Sequence, residues 1–130
     1  MIGLTTTNMA ALMETILLVD DNRNFRLSLK IGLTRQGFKV QTAQNAIEAI
    51  QMLDAHPFDL LLTDVEMPKL NGFELAKVAK ELNPNMDIIF LSAYDFRAYD
   101  ENYPGFTSAI KLNKPFEMKN LLKIIHQESI

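Results

Sequence analysis

Five side chains in this sequence could do chemistry together. Asp20 and Asp21 stand side by side after the apolar run Ile16 to Val19, and Asp64 follows the run Phe58 to Thr63. Ser92 follows Ile88 to Leu91, and Lys114 comes two residues after Ala109 to Leu112. Three carboxylates in one place repel one another, and they stay ionised together only if a cation joins them. A hard divalent ion suits oxygen donors, and Mg²⁺ favours a few carboxylates plus waters and phosphate oxygens. A carboxylate can also attack phosphorus and become an aspartyl-phosphate. The transferring group carries charge on its oxygens, so it needs cations around it, and Mg²⁺ and Lys114 would supply them. Ser92 could donate a hydrogen bond to a phosphoryl oxygen. Taken singly, each residue has an ordinary reading. Asp20-Asp21 could be a turn and helix cap, Asp64 a loop-starting aspartate and Lys114 a surface lysine.

The elements that must position these groups follow from the apolar pattern. Ile16 to Val19 is a short continuous apolar run, as a strand buried on both faces requires, and Phe58 to Thr63 and Ile88 to Leu91 read as two further strong buried strands. Lys39 to Ala43 and Ala109 to Leu112 read as weaker strands. Between them lie segments of helical period. Phe25, Leu29 and Leu33 share one face of a helix capped by Asn22 or Asn24 and stopped at Gln36-Gly37. Ala46 to Ala55 is expected to turn Ile47, Ile50 and Leu53 inward. Phe73 to Leu82 stops before Pro84. Asp95 to Tyr103 allows about two helical turns before Pro104-Gly105. Pro115 to Gln127 turns Met118, Leu121, Leu122 and Ile125 inward. Strict alternation of five strands and five helices means an α/β fold, a parallel sheet with helices on both faces and right-handed crossovers. Ligands of such a sheet gather at the carboxyl ends of its strands, where the five reactive residues fall.

Composition removes several alternatives. The chain has 130 residues, enough for one domain and one closed core. Its net charge is −3 with no lysine or arginine cluster, so direct nucleic-acid binding is not expected. No apolar run reaches the roughly 18 residues of a membrane span, so no membrane contact is expected. The absence of cysteine excludes disulfides and thiolate chemistry, and it fits a reducing cytoplasm. Residues 1–13 are Thr-rich and aperiodic and read as an extension, with Met13 a candidate start. Residues 14–130 read as the domain, and the chain ends after the fifth helix with no output domain expected in it.

The blocks ILLVDDN, LLLTDVEMPKLNGFEL, IIFLSAYD and NKPF resemble the four signature blocks of response-regulator receiver domains. The spacing agrees, with 28 residues from Asp64 to Ser92 and 22 from Ser92 to Lys114. The resemblance runs from Glu14 to about Gln127. It implies a CheY-like, flavodoxin-like (βα)5 fold with strand order 2-1-3-4-5. It also implies that Asp64 accepts a phosphoryl group from a phosphohistidine donor, a sensor histidine kinase or histidine phosphotransfer protein. Asp20, Asp21, Asp64 and the backbone carbonyl of Glu66 would hold Mg²⁺, with Asp21 the more direct ligand and Asp20 acting largely through water. Ser92 would reorient toward the phosphoryl group, Lys114 would neutralise it, and Lys114-Pro115 would be cis. By the same resemblance the domain is a signalling module that catalyses only its own phosphorylation and dephosphorylation.

The sequence departs from the family in two places. Lys111 stands where most receivers carry an aromatic ring that moves on activation, and Pro104 falls where the fourth helix usually continues, with Thr107 in place of a customary glycine. These departures keep open a second function, a constitutive protein-binding module with a weakened switch. An aspartate-nucleophile phosphohydrolase is disfavoured, because it would place its two acids two residues apart after the first strand. A flavodoxin-like cofactor binder would need a Ser/Thr/Gly-rich phosphate loop, which DDNRN is not. His56 and His126 read as helix-end and solvent-facing residues without metal spacing. Phe96, Tyr99 and Tyr103 read as a packing stripe. Leu27 and Ile31 lie off the core face of the first helix as an exposed apolar pair beside the site, a candidate docking spot for the phosphodonor.

Overall fold

The computed structural model describes residues 14–106 and 109–129, apart from the side chains at 98, 100 and 127–129. The proposed extension 1–13 and Thr107 lie outside the described residues. Strand β1 (Thr15–Val19) is followed by helix α1 (Arg23–Arg35), β2 (Lys39–Ala43), α2 (Ala46–Ala55) and β3 (Leu60–Asp64). Then come α3 (Gly72–Leu82), β4 (Asp87–Ser92), a single turn α4 (Arg97–Asp100), a 3-10 turn at Pro104–Phe106, β5 (Ile110–Asn113) and α5 (Met118–Ser129). The five strands pair in parallel in the order β2-β1-β3-β4-β5, as the resemblance implied.

Alternation along the central strands divides the core in two. Ile16, Leu18, Leu60, Leu62, Ile89 and Leu91 face Leu29 and Leu33 of α1 and Leu121 and Ile125 of α5. Leu17, Val19, Leu61 and Phe90 face the other way, onto Ala49 and Leu53 of α2 and Phe73, Ala76 and Ala79 of α3. Each buried leucine contributes about 1.5–3 kcal/mol by leaving water, so the apolar stretches of β1, β3 and β4 fix the centre of the sheet.

Local chemistry sets the helix ends. Asn22, Asn45 and Asn71 cap α1, α2 and α3 by accepting hydrogen bonds from Phe25, Glu48 and Glu74 backbone N–H groups. Gly37 has φ 99°, a left-handed conformation that lets the chain leave α1 and return into β2. No helix among the described residues is long and apolar enough to cross a membrane.

Two expectations are corrected. Ile47 does not face inward. It is 45% exposed, and Ala46, Ala49 and Leu53 form the buried stripe, because small residues let α2 lie close to the sheet. The fourth helix is one turn rather than two, so among the described residues four helices of more than one turn cover the sheet instead of five. No side chain caps its start, and Pro104 blocks continuation. The aromatic stripe holds the segment instead. Tyr99, Tyr103 and Phe106 lie 5.4, 5.0 and 5.6 Å from the Phe73 ring, and Phe106 also meets Phe90 edge-on at 5.4 Å.

Candidate functional site

Parallel strands deliver their carboxyl ends to one edge of the sheet. The register pairs Val19 with Thr63, Asp64 with Leu91 and Ser92 with Asn113. Residues just past those positions therefore share that edge. Asp20 follows β1, Asp64 closes β3, Ser92 closes β4 and Lys114 follows β5. The backbone seals the arrangement, since Val65 N–H donates to Leu91 O at 3.0 Å and Lys114 N–H to Ser92 O at 2.8 Å.

Asp20, Asp21 and Asp64 each offer a carboxylate oxygen within 4.8 Å of the others. Asp20 and Asp64 are buried and Asp21 is exposed. Both Asp20 oxygens are already engaged. One accepts from Asn22 N–H at 2.8 Å, the other from Lys114 Nζ at 2.6 Å. Lys114 Nζ also lies 3.6 Å from Asp64 Oδ1, with 17% of its side chain exposed. Burial, followed by the neighbouring Asp20 charge, raises the Asp64 carboxyl from 3.8 to about 6. Asp21 adds to that rise, and Lys114 opposes it. The lysine therefore compensates only part of the crowded negative charge. A hard-oxygen donor set with uncompensated charge fits a divalent cation, and Asp21 and Asp64 are the carboxylates left to meet it.

Ser92 is fully buried, and its Oγ accepts from Tyr94 N–H at 2.9 Å. Glu66 is exposed on the loop between β3 and α3, two residues beyond Asp64. That loop is drawn close by Gly72, whose N–H donates to Val65 O at 2.9 Å. A Cβ at Gly72 would collide with the Asp64 carbonyl, so only glycine allows this approach. The Lys114-Pro115 bond is cis, as expected.

The structure adds residues that the sequence left in ordinary roles. Arg26 donates from Nη1 to the Asp20 carbonyl at 2.7 Å, and Asn113 Nδ2 donates to the Tyr94 carbonyl at 3.0 Å. The Phe25 ring centroid is 4.1 Å from Lys114 Nζ. Residue types beside the acid pair and the lysine were the available signal, but spacing alone says nothing of these long-range contacts. The other readings divide. His56 caps α2 and His126 is exposed. Leu27 and Ile31 are 43% and 54% exposed. Asp95 pairs with Arg97 at 2.7 Å, and Lys111 Nζ lies 5.8 Å from the Phe96 ring centre.

Comparison with known proteins decides the family. The model of the response regulator receiver domain matches residues 16–126. The chain belongs to the response regulator receiver family. The receiver is 34% identical over 115 residues to the response regulator receiver protein CpdR of Brucella abortus, covering 88% of this chain and 96% of that protein. It is also 34% identical to the response regulator MprA of Mycobacterium ulcerans, but spans only 46% of MprA's length. Among solved structures, the receiver superposes with a TM-score of 0.79 and 30% identity on the response regulator TrrA of Thermotoga maritima, covering 89% of this chain and 99% of TrrA. That structure is a complex with Mg²⁺ and BeF. A receiver is a signalling domain of two-component systems rather than an enzyme in the usual sense.

Proposed function

We propose that this receiver, residues 14–130, takes a phosphoryl group on Asp64 from a phosphohistidine of a sensor histidine kinase or histidine phosphotransfer protein in the cytoplasm, and changes its affinity for a downstream protein. The observation that carries the reading is the set of three carboxylates within 4.8 Å at one sheet edge, with a lysine ammonium 3.6 Å from the buried Asp64. The Mg²⁺–BeF complex of the similar TrrA supports Mg²⁺ as the ion here.

In the proposed transfer, an Asp64 carboxylate oxygen attacks phosphorus. The new P–O bond forms as the donor's P–N bond breaks, and the imidazole leaves with the electron pair of that bond. Asp21, Asp64 and the backbone carbonyl of Glu66 would hold Mg²⁺ directly, with Asp20 acting through water. When bound, Mg²⁺ supplies positive charge for the phosphoryl oxygens. Lys114 is held beside Asp64 by Asp20 and needs only a short shift to meet a phosphoryl oxygen. Ser92 Oγ accepts from Tyr94 N–H, which leaves its hydroxyl proton to be donated to a phosphoryl oxygen when the side chain reorients. Asp64 must be ionised to attack, so its raised pKa limits the reaction below about pH 6 unless bound cation lowers it. The same residues would catalyse attack of water on the aspartyl-phosphate.

Beryllofluoride with Mg²⁺ tests the reading by backbone NMR. Shifts at Val65, at 92–94 and at Lys114, lost in Asp64→Ala, are the expected result. Binding that survives Asp64→Ala would remove Asp64 from the acceptor role.

A further inference from the structure

Lys114 is held by more than its two acids. Its ammonium stands 2.6 Å from Asp20 and 3.6 Å from Asp64, and the face of Phe25 lies 4.1 Å away. That distance is well inside the roughly 6 Å over which a ring attracts a cation. Phe25 is itself fixed. It lies in the first turn of α1, where its N–H donates to Asn22 Oδ1 at 3.0 Å. Its ring meets Phe116 nearly perpendicularly at 6.0 Å. The chain segment carrying Phe116 also carries Lys114, so one aromatic pair ties the start of α1 to the residue that must meet the phosphoryl group.

A lysine stem has four rotatable bonds and a strongly hydrated head, so a pair of acids alone does not fix its position. A ring face attracts the ammonium through its quadrupole in place of water, while the two carboxylates remain its oxygen acceptors. Phe25 also contacts Lys114 without touching the reacting atoms, so it acts through the lysine.

We propose that Phe25 is a positioning residue for phosphoryl transfer, its ring face braced by Phe116 and holding the Lys114 ammonium between Asp20 and Asp64. This rests on the reading of Asp64 as acceptor and Lys114 as its cation. Ordinary core packing would be served as well by leucine, whereas the inferred role needs a π face.

The test compares Phe25→Leu with Phe25→Tyr in the full chain. Labelling by acetyl phosphate and Mg²⁺ is followed by intact mass, with thermal unfolding as the check on folding. Phe25→Leu should label about five- to tenfold more slowly, the loss of one partly desolvated cation–π contact, and Phe25→Tyr should recover the rate. The Lys114 ε-methylene protons should show an upfield ring-current shift in wild type and Phe25→Tyr that is absent in Phe25→Leu. In a Lys114→Met background, Phe25→Leu should slow labelling no further. Equal rates for the leucine, tyrosine and wild-type proteins, with Lys114→Met still slow, would overturn the role of Phe25 alone. Wild-type labelling by Lys114→Met would instead overturn the reading on which it rests.

Discussion

Replacing Asp64 by asparagine should stabilise the metal-free protein, although it removes the central reactive group. Folding raises the Asp64 carboxyl from 3.8 to about 6, chiefly by burial and then by the charge of Asp20. The folded pKa thus lies above the unfolded one, so folding favours the protonated acid. The associated stability is fully present below about pH 4 and is lost as pH rises through 6. Each pKa unit corresponds to about 1.4 kcal/mol, so ionised Asp64 costs the fold about 3 kcal/mol at pH 8. Asparagine keeps the shape and carries no charge. Asp87 is raised in the same direction by burial and by Asp59, against Lys80, but it is common to both proteins and cancels in the difference. Urea unfolding in EDTA at pH 4.5, 6 and 8 measures the gap. The Asp64→Asn protein should be more stable by about 2–3 kcal/mol at pH 8, roughly 8 °C in melting temperature for a domain of this size. The gap should shrink to about 1 kcal/mol at pH 4.5, where the unfolded acid is already mostly ionised and the folded one is not, and saturating Mg²⁺ should narrow it at pH 8 by binding wild type preferentially. Equal stabilities at pH 8, or a gap independent of pH, would refute the view of Asp64 as a strained, buried carboxylate.

The remaining expectations concern the ion, the loop, the donor and the output face. Asp21→Ala should weaken Mg²⁺ binding, followed by NMR titration, more than Asp20→Asn does, because Asp20's oxygens are engaged by Asn22 and Lys114. Gly72→Ala should destabilise the fold by about 1–3 kcal/mol in denaturant melts and weaken Mg²⁺ binding with it, since the added methyl drives the loop away from Asp64. Changing Leu27 and Ile31 together to polar residues should slow transfer from a phosphohistidine donor in a radiolabel assay while acetyl phosphate labelling continues at the wild-type rate. Lys111→Ala should leave labelling nearly unchanged, and beryllofluoride should shift the backbone resonances of Asp95 to Phe106, because Ser92 leads into that segment.

The centre of the fold and the reactive set were both legible in the sequence, for the same reason. Buried parallel strands must be continuously apolar, so Ile16 to Val19 and Ile88 to Leu91 announce themselves, and the polar residue that ends each run is placed at the ligand-binding edge. What the sequence concealed depends on relations between distant segments. Ile47 looked like a core residue because it is large and apolar, whereas α2 approaches the sheet through Ala46 and Ala49. The segment after Ser92 had helical spacing, but its rings collapse onto Phe73 and only one turn of helix forms. Phe25 read as one position of an apolar stripe, and only the arrival of Lys114 from β5 makes it a partner of the site.

Intact mass after incubation with acetyl phosphate tests the central claim most directly. Wild type with Mg²⁺ should gain the mass of one phosphoryl group, and neither wild type in EDTA nor Asp64→Asn with Mg²⁺ should gain it. Undiminished labelling of Asp64→Asn, or no labelling of a folded, Mg²⁺-bound wild type, would contradict the account.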